Sequence, residues 1–183
     1  GSPKDALFGG HRRARVSSQC FKRAIRLQAD TAGAIAPEDR SVRTKKLLDL
    51  LTRKLNAMGH DDLQQAGQRI EVALSAVGLK LDDEGKTEYL LFLGEREIAA
   101  LAGWVHTHWD ELAPPAVADG KAKKSKKDAK ADAPDDVKKA VRKLFDGGKA
   151  LDEALFGRML ADLPEANQHA ACQVAHAIST HRV

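Results

Sequence analysis

Five leucines lie between Leu47 and Leu55: Leu47, Leu48, Leu50, Leu51 and Leu55. Wound at about 100° per residue, they form one apolar side of a helix. A stripe that dense has to be buried against other elements, so the chain must be built largely by helix packing. Gly59 stops the stripe. Beyond it, Asp61 or Asp62 can cap a second helix with Leu63, Ile70, Ala73, Leu74 and Val77 on its apolar side and Gly78 at its end. Further helices are expected from Glu95 to about Leu112, closed by Pro114-Pro115, and from Asp135 or Asp136 through Phe145, closed by Gly147-Gly148. Extended structure is predicted near both ends. Ala14 to Ser17 follows the Phe8-Gly9-Gly10 turn signal, and Cys172, Val174, His176, Ile178 and Thr180 alternate with small or polar residues. Tyr89 to Leu93 fits a strand or a buried helical turn, and periodicity does not separate the two. The fold class expected is α+β, predominantly helical.

Several classes are excluded at this level. Apolar residues make up 43% of the chain and charged residues 31%, a soluble globular balance. No apolar run approaches the roughly 18–20 residues that span a bilayer, and no apolar signal core opens the chain. Cys20 and Cys172 sit among apolar neighbours and read as reduced thiols of a cytoplasmic protein. Residues 116–134 are rich in Lys, Ala and Asp, with no large apolar side chain beyond Val117. They cannot bury enough surface to offset their ordering entropy and read as a mobile loop. The lysines between Lys121 and Lys130 are expected to stay solvated, or to hold a DNA strand transiently.

No metal site or cofactor is expected. His106 and His108 would point about 200° apart on a helix, and His169, His176 and His181 lack zinc spacing. No base and orienting acid can be assigned to Ser17, Ser18 or Cys20, which argues against an enzyme. Trp104 and Trp109 read as packing residues rather than base-stacking platforms.

Charge is where the chain becomes specific. From Ala6 to Ala29 there are six Lys and Arg residues and no acidic one. A helix is expected to start at Ser17 or Ser18 and run to about Ala29. On it, Gln19, Lys22, Arg23 and Arg26 fall within an arc of roughly 100°, and Cys20, Phe21, Ala24, Ile25 and Leu27 cover the opposite side. The reading is an apolar flank turned to a core and a cationic flank open to a polyanion. Free N–H groups at the helix start, with a Ser17 or Ser18 hydroxyl, would suit a phosphate. Such a surface follows successive phosphates without reading bases. The competing reading is a helical interaction module that docks an acidic protein surface.

The run from Lys4 through Phe8-Gly9-Gly10-His11-Arg12-Arg13-Ala14-Arg15-Val16-Ser17-Ser18-Gln19-Cys20-Phe21-Lys22-Arg23-Ala24-Ile25-Arg26 resembles the N-terminal signature of the CasC family. That family is the repeated backbone subunit of Cascade, the type I-E CRISPR surveillance complex. Ala154-Leu155-Phe156-Gly157-Arg158-Met159 and Ala175-His176-Ala177-Ile178-Ser179-Thr180-His181-Arg182-Val183 are similar to later family segments.

The resemblance implies a palm like an RNA-recognition motif (ferredoxin-like) carrying a large helical fingers insert. Residues 1–35 would begin the palm, 36–171 would be the fingers with the loop 116–134, and 172–183 would be a palm strand leading toward a thumb. It implies that Lys4, Ser17, Gln19, Lys22, Arg23 and Arg26 lie against a CRISPR guide RNA. Arg12, Arg13, Arg15, Arg158 and Met159 are further implied contacts. For Met159, a wedge beside a displaced base competes with an ordinary core position. Partners implied are the guide RNA, copies of the chain in a filament, other Cascade subunits and target DNA through the guide, with no membrane. The family pattern also has a palm strand before Gly1 and a thumb and second palm half after Val183, so the chain is expected to be a piece of the subunit with an unpaired sheet edge.

Overall fold

A computed structural model describes residues 4–113, 135–145, 150–161 and 163–183. The chain opens with a hairpin of β1 (Lys4–Phe8) and β2 (His11–Val16), paired antiparallel from Lys4↔Arg15 to Phe8↔His11. Gly9 and Gly10 both have positive φ (61° and 75°), the backbone that a two-residue hairpin turn demands and that glycine adopts at no steric cost. Helix α1 (Ser18–Thr31) follows, then a 3₁₀ turn at Pro37–Asp39 and β3 (Ser41–Thr44). Next come α2 (Leu47–Ala57), α3 (Leu63–Val77), β4 (Leu91–Gly94) and α4 (Glu95–Thr107). The remaining elements are α5 (Asp135–Leu144), α6 (Leu151–Phe156), a 3₁₀ turn at Pro164–Ala166 and β5 (Ala177–Ile178). The architecture is α+β, with two small antiparallel sheets: β1-β2-β5 and β3-β4.

The core belongs to the leucine stripe. Leu47, Leu51 and Leu55 of α2 are fully buried against Ile70, Ala73 and Leu74 of α3 and against Ile98, Leu101 and Val105 of α4. Val141 and Phe145 of the α5 region, with Leu160 and Leu163, complete it. Each such leucine contributes about 1.5–3 kcal/mol by leaving water. Asp62 caps α3 by accepting from Gln64 and Gln65 N–H (3.0 Å each), and Gly78 ends it as expected. At the start of α4 the Glu97 carboxylate reaches back to the Gly94 N–H (2.8 Å).

Three expectations need amendment. Tyr89 to Leu93 resolves as a strand, because Leu91 to Gly94 pair with Thr44 to Ser41. The helix expected to reach Leu112 ends at Thr107, and a turn carries Leu112 into the core. The terminal strand is short, with regular pairing limited to Arg15↔Ile178 and Val16↔Ala177. Beyond Ile178 the terminal segment stays on β2 through isolated backbone bonds, Ser179 N–H to Ala14 O (2.9 Å) and Val183 N–H to Arg12 O (3.0 Å), with side chains added to them. The Ser179 hydroxyl accepts from Ala14 N–H (3.0 Å), and the Arg13 guanidinium takes the Ser179 and Thr180 carbonyls. The expected loop at 116–134 lies outside the described residues. Among the described residues no helix is long and apolar enough to cross a membrane.

Candidate nucleic-acid interface

Helix α1 starts where β2 ends. Ser17 is its N-cap, with an extended backbone and a hydroxyl that accepts from Cys20 N–H (3.3 Å). Ser17 is buried at 7% exposure, and Ser18 N–H is already taken by His176 Nδ1 (2.9 Å), which the β2–β5 pairing brings alongside. The helix entrance is therefore partly filled from within the protein, contrary to the open phosphate site expected of it. Lys4 sits directly across from Arg15, so those two cations share one face of the sheet near the α1 start.

Along α1 the two flanks are exchanged relative to expectation. No residue of α1 is buried, and the apolar Phe21, Ile25 and Leu27 are 36%, 46% and 49% exposed. Through Lys22 and Arg26 the basic flank meets the rest of the protein. Lys22 Nζ lies 5.8 Å from the centre of the Phe156 ring. The Arg26 guanidinium lies over Phe92 (5.0 Å) and Phe156 (4.8 Å), and its Nε donates to Asp152 Oδ2 (3.0 Å). Gln19 and Arg23 remain exposed. The packing partner is chemical rather than greasy: aromatic faces and a carboxylate on α6 and β4 attract cations, whereas Phe21 and Ile25 stay exposed among the described residues.

The other basic residues divide. Arg12 pairs with Asp5 across the hairpin, both exposed. Arg13 is a structural clip, donating to Phe8 O (3.1 Å) and to the terminal segment. Arg15 is half-buried, and its Nε has no hydrogen-bond partner among the described residues. Arg158 does not reach a surface at all. Its fully buried guanidinium lies 2.6 Å from Glu97 Oε2 and 3.0 Å from Glu153 Oε2, and it donates to the carbonyls of Ala166, Phe145 and Phe92. A side chain so enclosed cannot meet a polyanion, which removes it from the expected contacts. Met159 goes the other way: at 81% exposure it is not a core residue. Gly157 between α6 and this pair has φ +77°, with the Gln168 carbonyl 3.0 Å from where a Cβ would stand, and this turn separates inward Arg158 from outward Met159.

Burial dominates the electrostatics beneath the interface. Both N–H bonds of Arg158 Nη1 go to Glu97 and Phe92, so the Glu153 oxygens receive no hydrogen bond among the described residues despite the short ion-pair distance. Burial, helped by the charges of Glu97 and Asp152 and opposed by Arg158, pushes the Glu153 carboxyl up to about 8. Elsewhere, His60 Nε2 meets His106 Nδ1 at 2.7 Å, and His60 stacks on Trp109 at 3.6 Å. Burial, His106 and Arg69 together hold the His60 imidazole below its usual value. Trp104 and Trp109 pack against the core, the role expected for them. Among the described residues no three metal-ligating side chains come together.

Phe156 and His176 stand inside the two later family-like segments, but their contacts with α1 were not legible, and Asp152, Phe92 and Ser41 had no signal beyond Asp152 standing just ahead of the segment 154–159.

Among curated proteins no significant match is found. One solved chain, from a CRISPR RNA-guided surveillance complex, superposes with a TM-score of 0.74 at 29% identity, over 100% of this chain and 53% of its own length. Another, from a CRISPR RNA-guided surveillance complex described as pre-nicking, gives 0.75 at 30% identity, over 100% of this chain and 47% of its own. The chain thus spans about half the length of the solved chains it matches. The family model for CT1975-like proteins matches residues 1–183, the hairpin, the basic helix and the helical bundle alike. With the signature read from Lys4 to Arg26 inside a match of that extent, the chain belongs to the CT1975-like, or CasC, family.

Proposed function

We propose that this protein is a non-catalytic subunit that holds the phosphate backbone of a CRISPR guide RNA, leaving the bases free to pair with target DNA. In this reading it is the repeated backbone subunit of a cytoplasmic type I-E Cascade complex, stacking copy on copy along the guide. The observation that carries the proposal is the cluster of Gln19, Lys22, Arg23 and Arg26 on one flank of α1, in a chain similar throughout to subunits of RNA-guided surveillance complexes. Lys4, Arg15 and the exposed Met159 extend the same interface, and Ser17 serves it by fixing the helix start. Residues 1–35 and 172–183 belong to one palm of the RNA-recognition-motif kind, and 36–171 form its fingers. The exposed Phe21, Ile25 and Leu27 support this, because a palm helix needs a sheet to cover its apolar flank.

The test is sequence independence. In the full subunit, Lys22→Ala with Arg23→Ala should lower affinity for two unrelated guide RNAs by the same factor, since phosphate contacts carry no sequence information. Loss for one guide and not for the other would contradict the proposal, as would no loss for either.

A further inference from the structure

Arg26 is the most constrained cation of α1. Its Nε donates to Asp152 Oδ2 at 3.0 Å, and its guanidinium lies over the rings of Phe92 and Phe156. Those contacts occupy the inner edge of the group and its π surface. The two Nη amino groups have no partner among the described residues, and the side chain keeps 27% of its surface open. Asp152 is itself held. Ser41 Oγ donates to the same Oδ2 at 2.5 Å, and the carboxylate is only 8% exposed. A guanidinium anchored through Nε and aromatic contacts offers its remaining N–H groups as a fixed fork, the geometry that takes two oxygens of one phosphate.

We infer that Asp152 is a positioning residue for phosphate recognition: with Phe92, Phe156 and Ser41 it holds Arg26 so that its Nη edge forks onto one backbone phosphate at the junction of α1 with α6. The inference rests on the reading of the protein as a guide-RNA holder. Asp152 touches no RNA in this arrangement. Its negative charge stands behind Arg26 and loses, in bare Coulomb attraction for the phosphate, part of what it returns in orientation. Orientation wins because an untethered arginine would surrender its rotamer freedom at the moment of binding.

Four variants of the full subunit test this, with guide-RNA affinity measured over a range of salt. Arg26→Lys keeps the charge and loses the fork, so affinity should fall about tenfold while the slope of log K against log salt stays as it was. Asp152→Ala leaves Arg26 in place but unheld, and should reproduce that fall with the slope unchanged. Combining the two should weaken binding no more than either alone, because both remove the same fork. Asp152→Asn keeps an oxygen acceptor for Nε and removes the opposing charge, so its affinity should be at least that of the wild type. It also answers for Asp152→Ala if that variant does not fold. Additive losses in the double variant would assign Asp152 a merely structural role and overturn the inference. Tighter binding by Asp152→Ala would overturn it too, showing that the carboxylate only competes with phosphate, and so would a tenfold loss in Asp152→Asn. If Lys22→Ala with Arg23→Ala weakens binding and these variants do not, the positioning inference falls alone. If that pair also has no effect, the underlying function falls.

Discussion

Glu153 shows how far a residue can depart from what its letter suggests. It lies beside Asp152, within reach of Arg158, and the same arginine must also serve Glu97. One cation against two buried acids leaves a proton as the cheapest remedy, and the carboxyl rises from 4.5 to about 8. The sign follows directly. Between these values the folded protein keeps a proton that the unfolded chain releases, so the contribution of Glu153 to stability is fullest below pH 4.5 and declines as pH rises toward 8. Glu153→Gln copies the protonated form. It should match the wild type near pH 5 and exceed it at pH 8.5 by a few kcal/mol, about 1.4 per pH unit of the interval, in urea unfolding at each pH. A gap that does not widen with pH would contradict the assignment. Arg158→Met leaves two acids buried without their cation and should cost about 3–5 kcal/mol of stability at pH 8, with any RNA defect tracking unfolding rather than a missing phosphate ligand.

At the scale of elements, what could be read from the sequence was whatever is decided locally. The α2 stripe, the Asp62 cap and Gly78 terminus of α3, the Gly9-Gly10 turn and the Ser17 start of α1 each depend on residues a few positions apart, and each stands where expected. Strand β3 was not foreseen. Four residues, Ser-Val-Arg-Thr, carry little alternation, and their partner β4 lies about fifty residues away in the chain. The periodicity of α1 was legible but its orientation was not, because which flank packs depends on Asp152 and two phenylalanines distant in sequence. The same limit explains Arg158: a lone arginine near a methionine gives no hint of the two glutamates that enclose it. Two measurements check this level. Leu51→Ala, in the fully buried stripe, should lower stability by about 2–5 kcal/mol, whereas Ser17→Ala should cost about 1 kcal/mol through the missing cap. Equal losses at both positions would mean the bundle is not the seat of stability.

On the scale of the whole molecule, a well-packed helical bundle carries a thin sheet and a helix with its apolar flank uncovered. Cys20 lies on that flank and is exposed. Thiol labelling should therefore be fast at Cys20 in the 183-residue chain and slow in the full subunit, where a completed palm would cover it. Equal rates would count against that palm. The bundle holds α6 and β4 rigidly, and they in turn set Lys22 and Arg26 beside Phe156 and Asp152, so a stable core is translated into a fixed spacing of cations. The most direct test of that translation is the salt dependence of guide-RNA binding by the full subunit. Removing Lys22 and Arg23 together should reduce the slope of log K against log salt by about 1.4, roughly 0.7 for each single-strand phosphate no longer neutralised. An unchanged slope would mean that these cations do not face the RNA backbone, and the account would fail.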